Sequence, residues 1–346
     1  MVVNRELLTT SPDRLGELKA SPSRSSPAHT VVERGNEKKA SLTKEEVSVL
    51  MQSSMIASGL FLPFSEQEAL ALSRESTEQS VSQFIDPDGL LKLSEKQQNR
   101  FYKWARPKEI ERIQERWSGE PSPGILVKAI SPYTIKQKYV TDCSFIASLC
   151  ICAAFERRFG RKLVTSIVYP QDKSGKPVLS RSGKYMVKLW LNGVARQVVV
   201  DDFLPIDRQG NLLCSQTTTR GLELWVSIIE KAYMKLCGGY DFPGSNSGVD
   251  LFSLTGWIPE RIFFPKNPAA VKDHETPSER AWERLYSASS YGDCLITASS
   301  TSDMSEEKAT RVGLVTGHAY AVLNVRRTQD GRRLLQMKNP WAHKVR

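Results

Sequence analysis

The pattern that most constrains the fold is an Asn-Gly pair between two apolar segments. Residues 185–191 read YMVKLWL, residues 194–200 read VARQVVV, and Asn192 and Gly193 separate them. A two-residue turn between strands favours Asn followed by Gly, because both positions require a positive φ. The pattern therefore predicts a β-hairpin over 185–200 and, with it, an antiparallel sheet.

Other segments have the spacing of helices or of strands. Helices are predicted over 144–159, with one stripe of Phe145, Leu149, Cys152 and Phe159, over 222–236, ended by Gly238 and Gly239, and over 277–288. Strands are predicted over 294–298, 318–326 and 332–341, and 244–256, with its Gly-Ser-Asn-Ser-Gly, is predicted to be a loop. Helices that precede most of the strands indicate an α+β fold.

The N-terminal part of the chain has a different composition. Residues 1–40 are rich in Ser, Pro, Lys and Arg and contain no aromatic residue, so we expect a disordered tail. Thr43 and Glu46 fit a capping box at a helix start. The segment 41–118 is predicted to be helical and irregular, with a short helix over 95–104 that Pro107 ends or kinks.

The formal charge of +10 raises the question of a nucleic-acid partner. The basic residues are scattered, however, without a run of five Lys or Arg and without a basic stripe interleaved with aromatic residues. We therefore expect a mildly basic, solvated surface and no nucleic-acid partner.

Cysteine spacing, hydropathy and the absence of nucleotide-binding motifs bear on metal binding, cellular location and cofactors. The six cysteines form no CxxC pair and no Cys/His set with zinc spacing, so no metal ligand is predicted. The N-terminus lacks the apolar segment of a signal peptide, and the longest uncharged run, 47–65, contains five Ser, so we expect no transmembrane segment and a reducing cytoplasmic location. Without a P-loop or a strand-linked GxGxxG, no nucleotide or flavin cofactor is expected.

Cys143 stands at the start of the helix predicted from residue 144. A buried cysteine is most often a packing residue, but a thiolate is stabilised by the unpaired N–H groups and the dipole of a helix N-terminus. Gln137, six residues earlier, supplies an amide that, with the backbone N–H of Cys143, could bind an oxyanion. The pattern makes Cys143 a candidate nucleophile.

A cysteine nucleophile needs an imidazole and a group that orients it. If the loop between the last two predicted strands covers 327–330, Arg326 faces Gly331, and the same register places His318 opposite Asn339. A slip of one residue would undo this pairing. Of the four histidines, His318 in the apolar GHAYAVLNV segment is the best candidate for the base.

These residues resemble motifs of the calpains, a family of papain-like cysteine proteases. The resemblance extends from about residue 85 to the end and rests on Gln137 with Cys143, on ELWVSIIEKAYMKLCGGY at 223–240, on Gly-His-Ala-Tyr at 317–320 and on Asn339-Pro340-Trp341. The segments SIVYPQ, GKYMVKLWLNG, GGYDFPGSN and LTGWIPER are most similar to the PalB-like branch of the family.

The resemblance implies a role for each site residue and a fold for the whole. It implies Cys143 as nucleophile, His318 as base, Asn339 as the residue that orients it and Gln137 as oxyanion donor. Trp341 is expected to shield the His–Asn hydrogen bond, and Gly317 and Gly244 are expected to lie at the substrate. A helical lobe over 119–256 would carry Cys143, a β-rich lobe over 257–346 would carry His318 and Asn339, and an extended peptide would bind between them.

The sequence also departs from the family. Ser144 follows the nucleophile, where classical calpains have Trp, although the PalB-like branch shares the difference. The second lobe is expected to be truncated, because the family's β lobe continues beyond this point. Calcium, which classical calpains bind through acidic loops, has candidate ligands in Asp201, Asp202 and Asp241, but no cofactor is expected to be required.

Three functions are compatible with these features. The first is an intracellular cysteine endopeptidase that acts on protein substrates through an acyl-enzyme on Cys143. The second is a catalytically silent adaptor, associated with endosomes and endosomal sorting (ESCRT) proteins or with pH signalling, as the PalB resemblance implies. The third is a transglutaminase-type acyltransferase, which the Asn at 339 disfavours because such enzymes usually have Asp there.

Overall fold

The computed structural model describes residues 2–3, 43–57, 59–76, 82–119, 124–262, 279–302 and 304–342. Most of the predicted tail, 4–40, lies outside these residues. The helices are α1 Lys44–Ser54, α2 Glu66–Glu75, α3 Glu95–Gln98, α4 Pro107–Ser118, α5 Cys143–Phe159, α6 Trp225–Leu236, α7 Ser247–Thr255, α8 Glu279–Tyr291 and α9 Glu306–Arg311.

The strands are short except in two places. They are β1 Val2–Val3, β2 Met55–Ile56, β3 Gly59–Leu60, β4 Lys103–Ala105, β5 Ile135–Lys136, β6 Val168–Tyr169, β7 Lys184–Leu191, β8 Val194–Asp201, β9 Leu204–Ile206, β10 Gln216–Thr217, β11 Ile258–Pro259, β12 Cys294–Leu295, β13 Thr297–Ser299, β14 Ala319–Arg327 and β15 Arg333–Lys338. The three-stranded sheet β6-β7-β8 contains the Asn-Gly hairpin, and the three-stranded sheet β13-β14-β15 adjoins His318 and Asn339. The mixture of helices and antiparallel strands confirms the predicted α+β class.

The Asn-Gly hairpin is present as predicted. Strands β7 and β8 pair antiparallel from Lys184↔Asp201 to Leu191↔Val194. Asn192 and Gly193 both have positive φ, 51° and 77°, as the two-residue turn requires.

Helix α5 is more deeply buried than its predicted stripe suggested. Eleven of its residues are buried, and they are distributed around the helix rather than along one face. Phe145 stacks on Tyr233 of α6 with ring centroids 3.9 Å apart, and α7 and β14 also pack against α5. A helix that is apolar all round belongs at the centre of a core, and α5 takes that position.

Two predictions in the N-terminal half and one in the C-terminal half are wrong. The helix predicted over 95–104 ends at Gln98, and Lys103–Ala105 is a strand that pairs with Leu204–Ile206. Pro107 begins helix α4, where its missing N–H costs no hydrogen bond. The predicted loop 244–256 contains helix α7, which Asn246 caps by accepting from the N–H of Val249.

The register of the last hairpin also differs from the prediction. Arg326 pairs with Leu334 rather than with Gly331, because the strands end at Arg327 and resume at Arg333. A β-bulge between Val322 and Asn324 then shifts the register by one residue, so that Ala321 pairs with Lys338. His318 and Asn339 lie just outside the two paired strands instead of directly opposite each other.

Candidate active site

Cys143 is the first residue of α5, and its side chain is half-buried. Asp142 occupies the N-cap position, but its side chain makes no capping hydrogen bond to the helix. No hydrogen bond from the backbone N–H of Cys143 to another described residue is present. The thiol therefore lies beside an unpaired N–H at the positive end of a helix dipole, as the sequence predicted.

His318 and Asn339 are brought together despite the difference in register. Nε2 of His318 lies 2.9 Å from Oδ1 of Asn339, and both side chains are buried. An amide oxygen only accepts, so Nε2 carries the proton and Nδ1 is left as the basic nitrogen of a neutral ring. The backbone of His318 is held by Ser300, whose N–H donates to its carbonyl at 3.0 Å and whose Oγ accepts from its N–H at 3.0 Å.

Trp341 packs against this pair. The centroid of its ring lies 4.4 Å from that of His318, and its backbone N–H donates to Oδ1 of Asn339 at 3.0 Å. Burial lowers the pKa of His318, and the hydrogen bond with Asn339 acts in the opposite direction. The environment thus favours a neutral imidazole, which is the form that accepts a proton.

Gln137 is buried, and its amide is already hydrogen-bonded. Nε2 donates to the carbonyl of Val140 at 2.9 Å and to Oδ1 of Asp142 at 3.0 Å, while Oε1 has no hydrogen-bond partner among the described residues. Both amide hydrogens are therefore used inside the turn that precedes Cys143. In this arrangement the side chain lies in that turn but has no free N–H for a ligand.

Two hydrogen bonds join this turn to the segment of Asn339. The N–H of Gln137 donates to the carbonyl of Pro340 at 2.9 Å, and Nζ of Lys338 donates to the carbonyl of Ile135 at 2.9 Å. The contacts therefore run without a break from Asp142, next to Cys143, through Gln137 to the residues on either side of Asn339.

The two glycines predicted at the substrate lie in different places. Gly244 has φ +107°, and a Cβ there would be 3.4 Å from the carbonyl of Thr141, so it adjoins the turn before Cys143. Gly317, with φ +57°, directly precedes His318. Next to Gly244 in the chain, Oγ of Ser245 lies 3.2 Å from Oγ of Ser144, the residue after Cys143.

A buried pair of carboxyl groups, one of them directly before Cys143, was not identified by the sequence analysis. Asp142 and Glu230 of α6 are both fully buried, and they interact electrostatically with each other. Burial and the neighbouring charge of Glu230 raise the pKa of Asp142 well above its usual range; burial raises that of Glu230 to about 7. The signal was present as a charged residue within the apolar pattern of 222–236.

The three carboxylates considered for calcium each contact a basic side chain. Asp201 pairs with Lys231, Asp202 pairs with Arg106, and Asp241 lies 2.6 Å from Nζ of Lys92. Within the described ranges, no cluster of three or more His, Cys, Asp or Glu residues has the geometry to hold a metal ion.

Comparison with known proteins places these residues in a family. A profile described as calpain family cysteine protease matches residues 79–345. The chain is 48% identical over 302 residues to calpain-7 of Mus musculus, and equally to calpain-7 of Homo sapiens, covering 87% of this chain and 34% of each relative. It is 37% identical over 311 residues to the calpain-like protease palB/cpr-8 of Neurospora crassa, covering 87% and 31%.

The chain spans about a third of the length of the curated relatives it matches. Among its described helices, none combines the length and the apolar character needed to span a membrane.

Proposed function

This chain belongs to the calpain family of cysteine proteases, and on that premise we propose that it hydrolyses peptide bonds in protein substrates through Cys143. The observation that carries the proposal is the 2.9 Å contact between Nε2 of His318 and Oδ1 of Asn339. It leaves Nδ1 of His318 as the nitrogen that takes the proton of a thiol.

Each residue then has a step in acyl transfer. Cys143 attacks the carbonyl carbon as His318 takes its proton, and His318 returns the proton to the leaving amine as the acyl-enzyme forms. Water, deprotonated by His318, then releases the acyl group and restores the thiol. Asn339 fixes the imidazole, and Trp341 excludes water from the hydrogen bond between them.

The tetrahedral oxyanion needs donors on the nucleophile side. The unpaired N–H of Cys143 is one, and Gln137 is proposed as the second once one of its amide hydrogens leaves Val140 or Asp142. The glycines Gly244 and Gly317 are proposed to let an extended peptide approach the nucleophile and the base, since neither has a side chain.

Labelling with an electrophilic peptidyl epoxide tests the nucleophile, and hydrolysis of an unfolded protein substrate tests the reaction. Cys143→Ala should remove both, and His318→Ala should slow both while leaving the circular dichroism spectrum unchanged. Hydrolysis that persists in folded Cys143→Ala protein would refute the proposal. Labelling of the wild type without any hydrolysis would favour the silent adaptor instead.

Several finer expectations stay predictions. They are the two lobes 119–256 and 257–346, a cytoplasmic and endosome-associated location, and endosomal sorting proteins as partners. Amine incorporation into a glutamine-containing protein would be needed to support the acyltransferase alternative.

A further inference from the structure

Asp142 and Glu230 form a carboxyl pair without a neutralising cation. Both are completely buried, and neither forms an ion pair within the described part of the chain. Oδ2 of Asp142 and Oε1 of Glu230 have no donor from any described residue, and the charge of Glu230 opposes the ionisation of Asp142. Two ionised carboxylates cannot share such a site, because desolvation and mutual repulsion both oppose it, so the pair retains a proton.

The remaining oxygens of the pair hold the segments around Gln137. Oδ1 of Asp142 accepts from Nε2 of Gln137 at 3.0 Å, and Oε2 of Glu230 accepts from the N–H of Ser215 at 2.8 Å. Ser215 directly precedes β10, which pairs with β5, and β5 ends at the residue before Gln137. Asp142 therefore contacts the side-chain amide of Gln137 directly. Glu230 holds Ser215, which precedes the strand that pairs with β5, the strand before Gln137.

We propose that the proton retained by Asp142 and Glu230 makes the Gln137 amide available to an oxyanion, so that the two carboxyls act as positioning residues. The inference rests on the proposed hydrolysis at Cys143. It concerns a group that contacts neither the thiol's base nor the substrate, and it assigns a task to two buried acids that acyl transfer does not otherwise use.

The physical reason is the strength of the competing hydrogen bond. When the pair holds its proton, Asp142 is close to a neutral acceptor, and Gln137 can transfer one N–H to the developing oxyanion. A fully ionised Asp142 would accept a charge-assisted hydrogen bond, which is about twice as strong, and would retain that N–H. The charge on Asp142 thus decides whether the N–H of Gln137 keeps its hydrogen bond to Asp142 or donates to the oxyanion of the transition state.

Other titratable groups around the pair are mostly thiols and phenols. Cys143 is adjacent on α5, Cys237 directly follows α6, and Cys214 and Tyr240 approach from the neighbouring loops. The nearby amine of Lys231 is occupied by Asp201 and by the carbonyls of Asp201 and Phe203. These neighbours supply no positive charge to the pair, so the retained proton is what keeps the pair from carrying two negative charges.

Two isosteric variants separate the proposal from a purely structural role. In Glu230→Gln, the new amide can accept from Ser215 and donate to Asp142, which stabilises an ionised Asp142. In Asp142→Asn, the acceptor facing Gln137 is neutral at every pH. The readout is the ratio of peptide hydrolysis to alkylation by iodoacetamide, because alkylation requires the thiolate but no oxyanion.

We expect Glu230→Gln to lower this ratio about tenfold at neutral pH and to recover as the pH falls and Asp142 is protonated. Asp142→Asn should keep a larger ratio than Glu230→Gln and show no such recovery. Asp202→Asn, which removes a buried carboxyl that contacts Arg106 rather than Gln137, should leave the ratio as in the wild type.

Equal losses in Glu230→Gln and Asp142→Asn, or alkylation that falls in parallel with hydrolysis, would overturn the inference. Alkylation of the wild type without hydrolysis would instead refute the proposed function, and the inference with it. Infrared spectra distinguish the two failures. The carbonyl band of a protonated carboxyl should be present in the wild type and absent from Glu230→Gln. Its absence from the wild type would refute the shared proton, and with it the inference, but not the proposed hydrolysis.

Discussion

The helix that carries Cys143 and the sheet that adjoins His318 and Asn339 rest on cores of very different size. Around α5, one large cluster includes residues from α4, α5, α6, α7, β7 and β8. Beside β14, between that strand, β12 and α8, the described residues form a smaller separate cluster whose buried members are Trp282, Cys294, Ile296, Val322 and Val325. Strand β15 contributes no buried residue, and Leu334, Leu335 and Met337 are exposed on it.

This difference shows that the two parts of one site need not be equally stable. Cys143 begins a helix at the centre of the large cluster, whereas Asn339 directly follows the exposed strand β15. Local opening is therefore expected to begin at β15, since elements with few buried apolar contacts open at lower free energy.

The largest effect should come from the central core. Phe145→Ala removes a buried ring that stacks on Tyr233 and should lower the free energy of unfolding by about 3–5 kcal/mol. Urea denaturation followed by circular dichroism measures this loss, with Phe145→Leu as the milder control. A smaller loss of unfolding free energy than that of Val322→Ala would contradict the expectation that the large core contributes more to stability than the small one.

A smaller effect is expected in the sheet. Val322→Ala removes two buried methyl groups from the second cluster and should cost about 2 kcal/mol. Amide hydrogen exchange should rise in β14 and β15 and stay nearly unchanged in α5. Equal increases in both regions would mean that they unfold as one unit.

Asn339→Ala tests the junction between the two regions. The change removes the acceptor for Nε2 of His318 and for the N–H of Trp341, and it should slow hydrolysis about tenfold with little change in the global unfolding free energy. Asn339→Gln should be similarly slow, because its longer side chain displaces the amide oxygen. Unchanged hydrolysis in both variants would remove Asn339 from the site.

The smallest effect is expected on the exposed strand. Leu335→Lys replaces a side chain that is 42% exposed and should change the unfolding free energy by no more than about 0.5 kcal/mol. A loss comparable to that of Val322→Ala, measured by the same denaturation, would show that β15 is covered by another part of the protein in solution.

Local signals with a definite stereochemical cause were predictable from the sequence. The Asn192-Gly193 turn and the Thr43–Glu46 capping box are present because each depends on only a few adjacent residues. The start of α5 at Cys143 was predicted to within one residue for the same reason.

Features that depend on distant partners were not predictable. Helix α7 was missed because Gly, Ser and Asn favour loops, and the burial of Leu251 and Leu254 overrides that preference. The bulge beyond Val322 leaves no local pattern, so the predicted register reached His318 and Asn339 through incorrect pairings. The contact between Asp142 and Glu230 joins two elements far apart in the chain and required the structure.

The hydrogen bonds from Gln137 to Pro340 and from Lys338 to Ile135 also have a consequence for biosynthesis. The ribosome makes Cys143 long before it makes His318, a delay on the order of ten seconds or more at roughly 5–20 residues per second. Throughout that delay the segment from Ile135 to Gln137 lacks its hydrogen bonds to Lys338 and Pro340. The turn before Cys143 therefore reaches its final set of contacts only after the segment ending at Trp341 has emerged from the ribosome.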